Sequence, residues 1–447
     1  MQEKLEIARS NIRNFIAFRM FFSARFYYPV FAVIYLDFGM TLEQFAILNS
    51  IWAATIILAE VPSGTLSDII GRKKMIVTAG ILMVVEMLVW GFAPTSNLDV
   101  LFWILAINRV LSGLAEAAAS GADEALVYDS IDEAGKKDEW GLILQKVTRW
   151  QSFAFMIALL TGGILYDPEV MTHVCQFLGI DIHLTQQETM RWPIFLNLVT
   201  ALLTLLAALS LRETGNYQSN TDPISSKTAF AQTWRVAKWI AHTPFALIVI
   251  LAAATIDSAI RMFITMNSEY YRQISFPEVA FGIIGAVISL QGMVVARISR
   301  EMTERFGPNQ NFLIISLITL LAFIGIRFFV PYFGVLFSML LFVAMGMTGF
   351  CTSYYLNKTA DKSIRATLLS FKGLALNLGY GGIGILYALL VAYLREQPEL
   401  SSDAGMLFQA SSEWFPPWFL ITFLAVILCQ LKWRGKLPSE GISIKGA

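Results

Sequence analysis

Ionisable side chains recur at helical spacing inside apolar segments of this chain. Arg109, Glu116 and Asp123 follow one another at intervals of seven residues, which places them on one face of a helix. Asp257 and Arg261 lie four residues apart and can pair directly. A carboxyl group in a low-dielectric interior can take up and release a proton near neutral pH. The spacing therefore predicts proton-coupling groups at Glu116 and Asp257, or alternatively ion pairs that only clamp helices.

Arg25 is a second candidate for chemistry, because it lies near the middle of an apolar stretch. A guanidinium at such depth is stable only beside an acid, carbonyl groups, water or a bound anion. Its planar fork suits two-point contact with a carboxylate or a phosphate. Arg25 is therefore predicted to bind substrate, or alternatively to be the structural partner of Asp257 or Glu116.

The elements that carry these residues are long apolar segments. Apolar residues make up 56% of the 447 positions and charged residues only 15%, whereas a soluble domain carries about a quarter of charged residues. Period-2 alternation is absent, which argues against a β-barrel. Segments long enough to cross a bilayer as a helix, which takes about 20 residues, lie at 11–36, 42–63, 75–94, 100–126, 142–166, 192–212, 244–268, 277–300, 311–330, 333–356, 367–394 and 415–434. The sequence predicts an all-α membrane protein with twelve transmembrane helices.

Lysine and arginine are concentrated in alternate connections, including 72–74 and 136–137, and in both termini. Such connections face the cytoplasm. We therefore expect a multi-pass protein of the cytoplasmic (inner) membrane with both termini cytoplasmic. No cleavable signal is evident. The net charge is zero, and no basic run indicates a nucleic-acid partner.

The longest polar stretch divides the chain into two halves. We predict an N-terminal bundle of six helices over 1–212, a cytoplasmic linker with an amphipathic helix over 213–243, and a C-terminal six-helix bundle with a tail over 244–447. The segment 300–307 repeats the acid-x-x-Gly spacing of 68–71 at an offset of about half the chain, as parallel repeats would.

No pattern indicates a cofactor or a metal. Cys175, Cys351 and Cys429 are scattered, and the polar loop with His173 and His183 is explained without a metal. Residues 379–384 fit a dinucleotide fingerprint formally, but they lie inside an apolar segment, where glycine-mediated helix packing is the better interpretation. We expect no enzyme, no cofactor and no metal site.

The stretch Gly64-Thr-Leu-Ser-Asp68-Ile-Ile-Gly71-Arg72-Lys-Lys resembles G-x-L-x-D-x-x-G-R followed by Lys or Arg, the signature between helices 2 and 3 of the major facilitator superfamily of secondary transporters. The segment 109–113 resembles the R-x-x-x-G element of the same family, which implies that Arg109 takes part in proton coupling. In span 5 the antiporter pattern is only partly present, because Ala154 and Ala158 replace its early glycines. Residues 120–130 and 365–370 are similar to a bacterial subgroup of efflux-type permeases.

The resemblance implies two pseudo-symmetric six-helix bundles and a cytoplasmic gate. Asp68 would then lie at the N-terminus of span 11, and Arg72 would pair with Asp129 or Asp123. Span 1 would line the central cavity and so present Arg25 to substrate, whereas Glu86, on a peripheral span, would be structural or solvated at an edge. The predicted gate comprises Gly64, Asp68, Gly71, Arg72, Asp123 and Asp129, and the predicted substrate-binding residues are Arg25, Asn49, Arg261, Gln291 and Asn377.

These observations predict a proton-coupled transporter that moves a small organic compound by alternating access, most simply as an exporter. Its partners would be a small-molecule substrate, protons and the lipid bilayer, and we expect a monomer. Import of an anionic metabolite or a metal chelate remains an alternative, as does coupling to sodium. A non-transporting receptor or an intramembrane enzyme fits the sequence less well.

Overall fold

The computed structural model describes residues 2–213, 243–359, 365–398, 400 and 403–433. Every regular element in these ranges is helical, and the residues cluster into two compact units. The first unit comprises the described residues up to 213 together with Phe276–Ser289, and the second comprises 243–275 and the described residues from Leu290 onward. The linker is predicted over residues 213–243. Only residues 213 and 243 of this segment lie within the described ranges.

The helices of both units differ widely in length. In the first unit they are α1 (Gln2–Ser23), α2 (Phe31–Asp37), α3 (Leu42–Ile70), α4 (Arg72–Gly91), α5 (Leu98–Ala119), α6 (Ala122–Glu133), α7 (Trp140–Tyr166), α8 (Pro168–Phe177), α9 (Gln186–Thr189) and α10 (Trp192–Ser210). The second unit contains α11 (Pro244–Thr265), α12 (Asn267–Gln273), most of α13 (Glu278–Arg305), α14 (Pro308–Ile326), α15 (Val335–Thr359), α16 (Arg365–Arg395), α17 (Ala404–Ser412) and α18 (Phe415–Trp433).

Ten helices in the described part of the chain are long and apolar enough to cross a membrane. The count rises to eleven if α7 and α8, which meet at an angle of 85°, form one bent span. The remaining predicted span, 11–36, is interrupted and is divided between α1 and α2. The helical membrane architecture predicted from hydropathy is therefore present, with span 1 broken near its middle.

The break in span 1 falls at residues 24–27, just before Pro29. A break at membrane depth exposes backbone groups that must find partners within the protein. Asn197 of α10 accepts a hydrogen bond from the Phe26 N–H at 3.0 Å, and Thr200 donates to the Ala24 carbonyl at 3.5 Å. Gly162 of α7 permits the close approach, because a Cβ there would lie 1.8 Å from the Phe26 carbonyl oxygen. These contacts hold the broken segment that carries Arg25.

The segment 64–74 between the predicted spans 42–63 and 75–94 is almost entirely helical. Helix α3 passes through Pro62 and ends at Ile70, and α4 begins at Arg72. Only Gly71 interrupts the two helices, with a φ of 102° that favours glycine. Span 4 is also interrupted by a glycine, because Gly121 has a φ of 75° and separates α5 from α6.

The core of the second unit is aromatic. Phe263 of α11 packs against Phe323 of α14 and Phe415 of α18, with ring centroids 5.3–6.2 Å apart. Residues 379–384 lie within the continuous helix α16, which agrees with their interpretation as a helical segment. Helix α11, which carries Asp257 and Arg261, is thereby fixed between its neighbours.

Candidate functional site

Four charged side chains form a line of alternating sign in the first unit. Arg25 lies at the break of span 1, Glu86 on α4, and Arg109 and Glu116 on α5. The Arg25 guanidinium lies 3.0 Å from Oε1 of Glu116 and 3.9 Å from Oε2 of Glu86. Oε1 of Glu86 lies in turn 3.9 Å from Arg109. We call these four residues the charge chain, and its net charge is zero when all four are ionised.

Burial differs sharply along the charge chain. The side chains of Glu86, Arg25 and Arg109 are 0%, 3% and 5% exposed, whereas that of Glu116 is 36% exposed. Buried charges are tolerated when they are paired, and Glu86 is flanked by two arginines. Glu116 is therefore the one member of the charge chain that a solvated ligand or a proton reaches directly.

The structure gives Glu86 and Arg109 partners that the sequence did not identify. Glu86 was expected to be either structural or solvated at an edge, and its full burial between Arg25 and Arg109 agrees with the first alternative and contradicts the second. Arg109 was placed on the same helix face as Glu116, and the structure pairs it with Glu86 of another helix. A single acid within the apolar run of α4 was the only signal in the sequence, and it does not reveal which neighbours that helix face meets.

Arg109 is enclosed by aromatic rings and by an amide. Its Nε and Nη2 donate to Oδ1 of Asn108 at 3.2 and 3.0 Å. The guanidinium lies 5.4–5.7 Å from the ring centroids of Phe31, Tyr35 and Trp90, within the range of cation–π attraction. Because it is held on all sides, Arg109 behaves as a fixed counter-charge for Glu86.

The signature between α3 and α4 forms part of a second group of charges. Of the two predicted partners of Arg72, the structure selects Asp129, which forms an ion pair with it. Asp123 instead pairs with Arg19 of α1 at 2.5 Å. Arg72 and Asp123 thus belong to two separate ion pairs that tie α6 to α4 and to α1.

Glu213 joins this region, and sequence reasoning did not identify it. Its Oε1 accepts a hydrogen bond from the Arg72 N–H at 2.8 Å. Its carboxylate also lies against Gly71, where a Cβ would come within 2.9 Å of it. An acid at the first turn of a helix is stabilised by the free N–H groups and by the helix dipole. Glu213 therefore caps α4 at the glycine that separates α3 from α4.

The other predicted gate positions are less constrained. Gly64 is exposed, and no atom lies within 4 Å of the place where its Cβ would be. The side chain of Asp68 lies outside the described part of the chain. Its predicted contact with the N-terminus of span 11 stays a prediction.

The second unit contains a smaller charged group on α11 and α16. Asp257 and Arg261 form the predicted pair at 2.6 Å, and Arg261 donates to Oδ1 of Asn377 at 2.9 Å. The Arg261 guanidinium lies 5.4 Å from the centroid of the Tyr380 ring. Here the base is the more accessible partner, because the Arg261 side chain is 22% exposed and that of Asp257 is 9% exposed. We call Asp257 and Arg261 the α11 pair, and Asn377 is its amide partner.

Two predicted substrate ligands join neither group in the described structure. Asn49 is buried and donates to the Phe45 carbonyl of its own helix at 2.8 Å. Gln291 donates to the Met339 carbonyl at 3.1 Å, which ties α13 to α15. Within the described ranges its Oε1 has no hydrogen-bond partner. Their predicted contact with substrate stays a prediction.

Three solved structures with the same fold are transporters by name. A mutant of the nucleoside transporter NupG superposes with a TM-score of 0.70 at 13% identity, over 95% of this chain and 99% of that one. A bacterial homologue of the human lysosomal transporter Spinster, inward-facing and occupied, gives 0.68 at 14%, over 98% of each chain. A D-xylose-proton symporter gives 0.64 at 12%, over 94% and 96%. At such identities the likeness establishes the fold alone.

The sequence itself carries the family assignment. A comparison with curated proteins found no match. The profile of the Major Facilitator Superfamily, however, matches residues 14–384, which is most of the chain. This match confirms the resemblance seen in the 64–74 segment and the predictions of a major facilitator fold and of a transporter rather than an enzyme. The chain belongs to the Major Facilitator Superfamily.

Proposed function

We propose that this protein is a proton-coupled secondary transporter that exports a small organic compound across the cytoplasmic membrane by alternating access. In this proposal two six-helix bundles, 1–212 and 244–447, move about a central site, with the linker 213–243 and both termini in the cytoplasm. A monomer suffices for this mechanism. The observation that carries the proposal is the charge chain, whose single accessible member is the carboxylate of Glu116.

Glu116 suits a proton carrier for an electrostatic reason. When it gains a proton, Arg25 keeps Glu86 as its counter-charge, so protonation does not leave a buried guanidinium without a carboxylate. Protonation of Glu86 would cost more free energy, because Glu86 is the carboxylate that Arg25 and Arg109 share. Asp257 is the second candidate, since Arg261 has Asn377 as a further partner when the acid is neutral.

The ion pair between Arg72 and Asp129, with Glu213 at the start of α4, supports a role for this region as a cytoplasmic gate. Each contact joins the beginning of α4 to another element of the same unit. Making and breaking the ion pair would alter how α6 is tied to α4. In this role Asp123, paired with Arg19, anchors α6 to α1.

Import of an anionic metabolite or a chelate is the alternative, and one observation favours it. Arg261 is partly exposed and has Asn377 beside it, so the second unit offers donors to an anionic group. The D-xylose-proton symporter, by its name, couples the same fold to protons. Arg25, in contrast, is almost fully covered and is engaged by two carboxylates.

Proteoliposomes with an imposed pH gradient test the proposal. Compounds of cationic, anionic and neutral charge are added in turn, and dissipation of the gradient is followed with a pH-sensitive dye. We expect at least one compound to dissipate the gradient with wild-type protein, and Glu116→Gln or Asp257→Asn to abolish the effect. Glu133→Gln is the matched control for the first variant, because Glu133 is 33% exposed and paired with Lys4. Glu269→Gln is the control for the second. Proton movement that survives both Glu116→Gln and Asp257→Asn would contradict the assignment.

A further inference from the structure

The accessible end of the charge chain has an aromatic neighbour. Tyr28 begins the short 3-10 helix Tyr28–Val30 that follows the break in span 1, and its N–H donates to the Arg25 carbonyl at 3.2 Å. The residue is 44% exposed, although it lies in a segment whose other aromatic residues are mostly buried. Its phenol group interacts electrostatically with Arg25 and Glu116. Tyr28 is therefore a partly exposed residue within electrostatic range of the Glu116 carboxylate.

The ring of Tyr28 is held in position by its neighbours. Tyr27 lies at 5.2 Å and Phe155 at 6.0 Å between ring centroids, both nearly perpendicular to it. Tyr27 is itself fully buried against Trp90. A fixed, partly exposed ring near a partly exposed carboxylate is a combination that can recognise organic cations, because the carboxylate supplies the opposite charge and the ring supplies a cation–π contact.

The difference in exposure between Arg25 and Glu116 indicates which ligand charge the charge chain accepts. An anion would have to reach Arg25, whose guanidinium is covered by the Phe22 ring at 4.9 Å and engaged by both Glu86 and Glu116. A cation meets Glu116 first. We propose that Glu116 and Tyr28 form a binding site for a monovalent organic cation with an apolar body, and that the cation and a proton compete for the Glu116 carboxylate. This inference rests on the proposed function and names its substrate class.

Charge balance explains the competition. The charge chain is neutral with Glu116 ionised, and either a proton or a monovalent cation brings it to a net charge of +1. Both together would place +2 in a mostly buried site, which is unfavourable. The groups that act electrostatically on Glu116 are Arg25 from the broken span, Tyr28 beside it and Glu86 from α4. When the cation binds, the proton leaves Glu116 for water, and the reverse step releases the cation.

Binding of tetraphenylphosphonium to the purified protein tests the site, with tetraphenylborate as an anion of matched shape. We expect the phosphonium affinity of the wild type to fall as the pH is lowered, because protons and the phosphonium compete for the Glu116 carboxylate. Glu116→Gln should weaken binding at least about tenfold and remove the pH dependence. Glu133→Gln should bind as the wild type does, and it controls for partition of the probe into detergent.

The ring is tested separately from the charge. Tyr28→Leu should weaken phosphonium binding about threefold, the effect of an exposed cation–π contact, whereas Tyr28→Phe should retain most of the affinity. Tyr393→Leu removes an exposed tyrosine of α16 and should have no effect. Phosphonium binding that is unchanged in Glu116→Gln would overturn the inference. Tetraphenylborate binding that depends on Arg25 would overturn it as well and would favour an anionic ligand.

The proteoliposome assay distinguishes this inference from the proposed function. If neutral or anionic compounds dissipate the pH gradient while tetraphenylphosphonium does not, the cation site is wrong and the proton-coupled transporter stands. If no compound moves protons, but tetraphenylphosphonium still binds in competition with protons at Glu116, the site stands and the transport proposal is wrong.

Discussion

The charge chain of the first unit and the α11 pair of the second unit solve the same problem in opposite ways. Both hold arginine and carboxylate groups inside apolar helices. In the charge chain the acid Glu116 is the accessible member and Arg25 is covered, whereas in the α11 pair Arg261 is the more accessible and Asp257 the more covered. The first unit therefore offers a negative group to a ligand and the second unit offers a positive one with an amide.

The two groups also differ in how they are built. The charge chain draws its members from the break of span 1, α4 and α5, so it exists only when three parts of the fold are assembled. Asp257 and Arg261 are one turn apart on the same helix and can pair before any tertiary packing. Removal of a charge should therefore cost more in the first unit than in the second.

The largest effect is expected for Glu86→Gln. It leaves two buried arginines with one carboxylate fewer, and breaking a buried ion pair in this way costs about 3 kcal/mol or more. The free energy of unfolding in detergent micelles measures the loss. Glu133→Gln, which removes an acid from a partly exposed pair, should cost less than about 1 kcal/mol. The double variant Glu86→Gln with Arg109→Gln restores neutrality and should recover part of the stability. Equal stability of Glu86→Gln and the wild type would show that the charge chain is not a unit.

A smaller effect is expected for Asn197, which supports the backbone next to Arg25 and not the Arg25 side chain. Asn197→Leu removes the acceptor of the buried Phe26 N–H, and an unsatisfied buried donor costs about 2 kcal/mol. Asn49→Leu is the control, since that buried amide bonds only to a carbonyl of its own helix, and we expect it to cost less than about 1 kcal/mol. Thermal unfolding of the two variants tests this order. The reverse order would mean that the break in span 1 does not depend on α10.

The same contrast explains which features of the structure could be predicted from the sequence. Apolar runs predicted the helices because the bilayer dictates their length and composition. The pairing of Asp257 with Arg261 was predictable from a spacing of four residues, and the pairing of Arg72 with an acid of span 4 came from the family signature.

Contacts between distant segments could not be predicted in this way. The position of Glu86 between Arg25 and Arg109 depends on how α4 is rotated against its neighbours, and hydropathy gives no rotation for a helix that is apolar on most sides. Glu213 caps α4 although it follows α10, the last helix of the first half, in the sequence. Asn197 supports the break in span 1, for which Pro29 is the only signal in the sequence. In each of these cases the partner lies on another helix or just after the end of one.

In the second unit Asp257→Asn should cost only about 1 kcal/mol in stability. Arg261 is partly exposed and keeps its hydrogen bond to Asn377, so the lost carboxylate does not strand a buried charge. Thermal unfolding compared with Glu86→Gln tests the difference between the two units directly. If Asp257→Asn destabilised the protein as much as Glu86→Gln does, local pairing would not reduce the loss of stability, and the difference between the two units described above would be wrong.

The smallest effect is expected for Arg261→Lys, with Arg25→Lys as its counterpart in the first unit. A lysine at 261 can still reach Asp257 one turn away, so the loss should be about 0.5 kcal/mol. A lysine at 25 is a point charge that cannot engage Glu86 and Glu116 together as the guanidinium does. Arg25→Lys should therefore cost about 1.5 kcal/mol, a typical value for one charged hydrogen bond. Unfolding and tetraphenylphosphonium affinity are measured on both variants. Loss of stability in Arg25→Lys without loss of affinity would make Arg25 a support for Glu116, whereas loss of affinity at unchanged stability would mean that Arg25 itself touches the ligand.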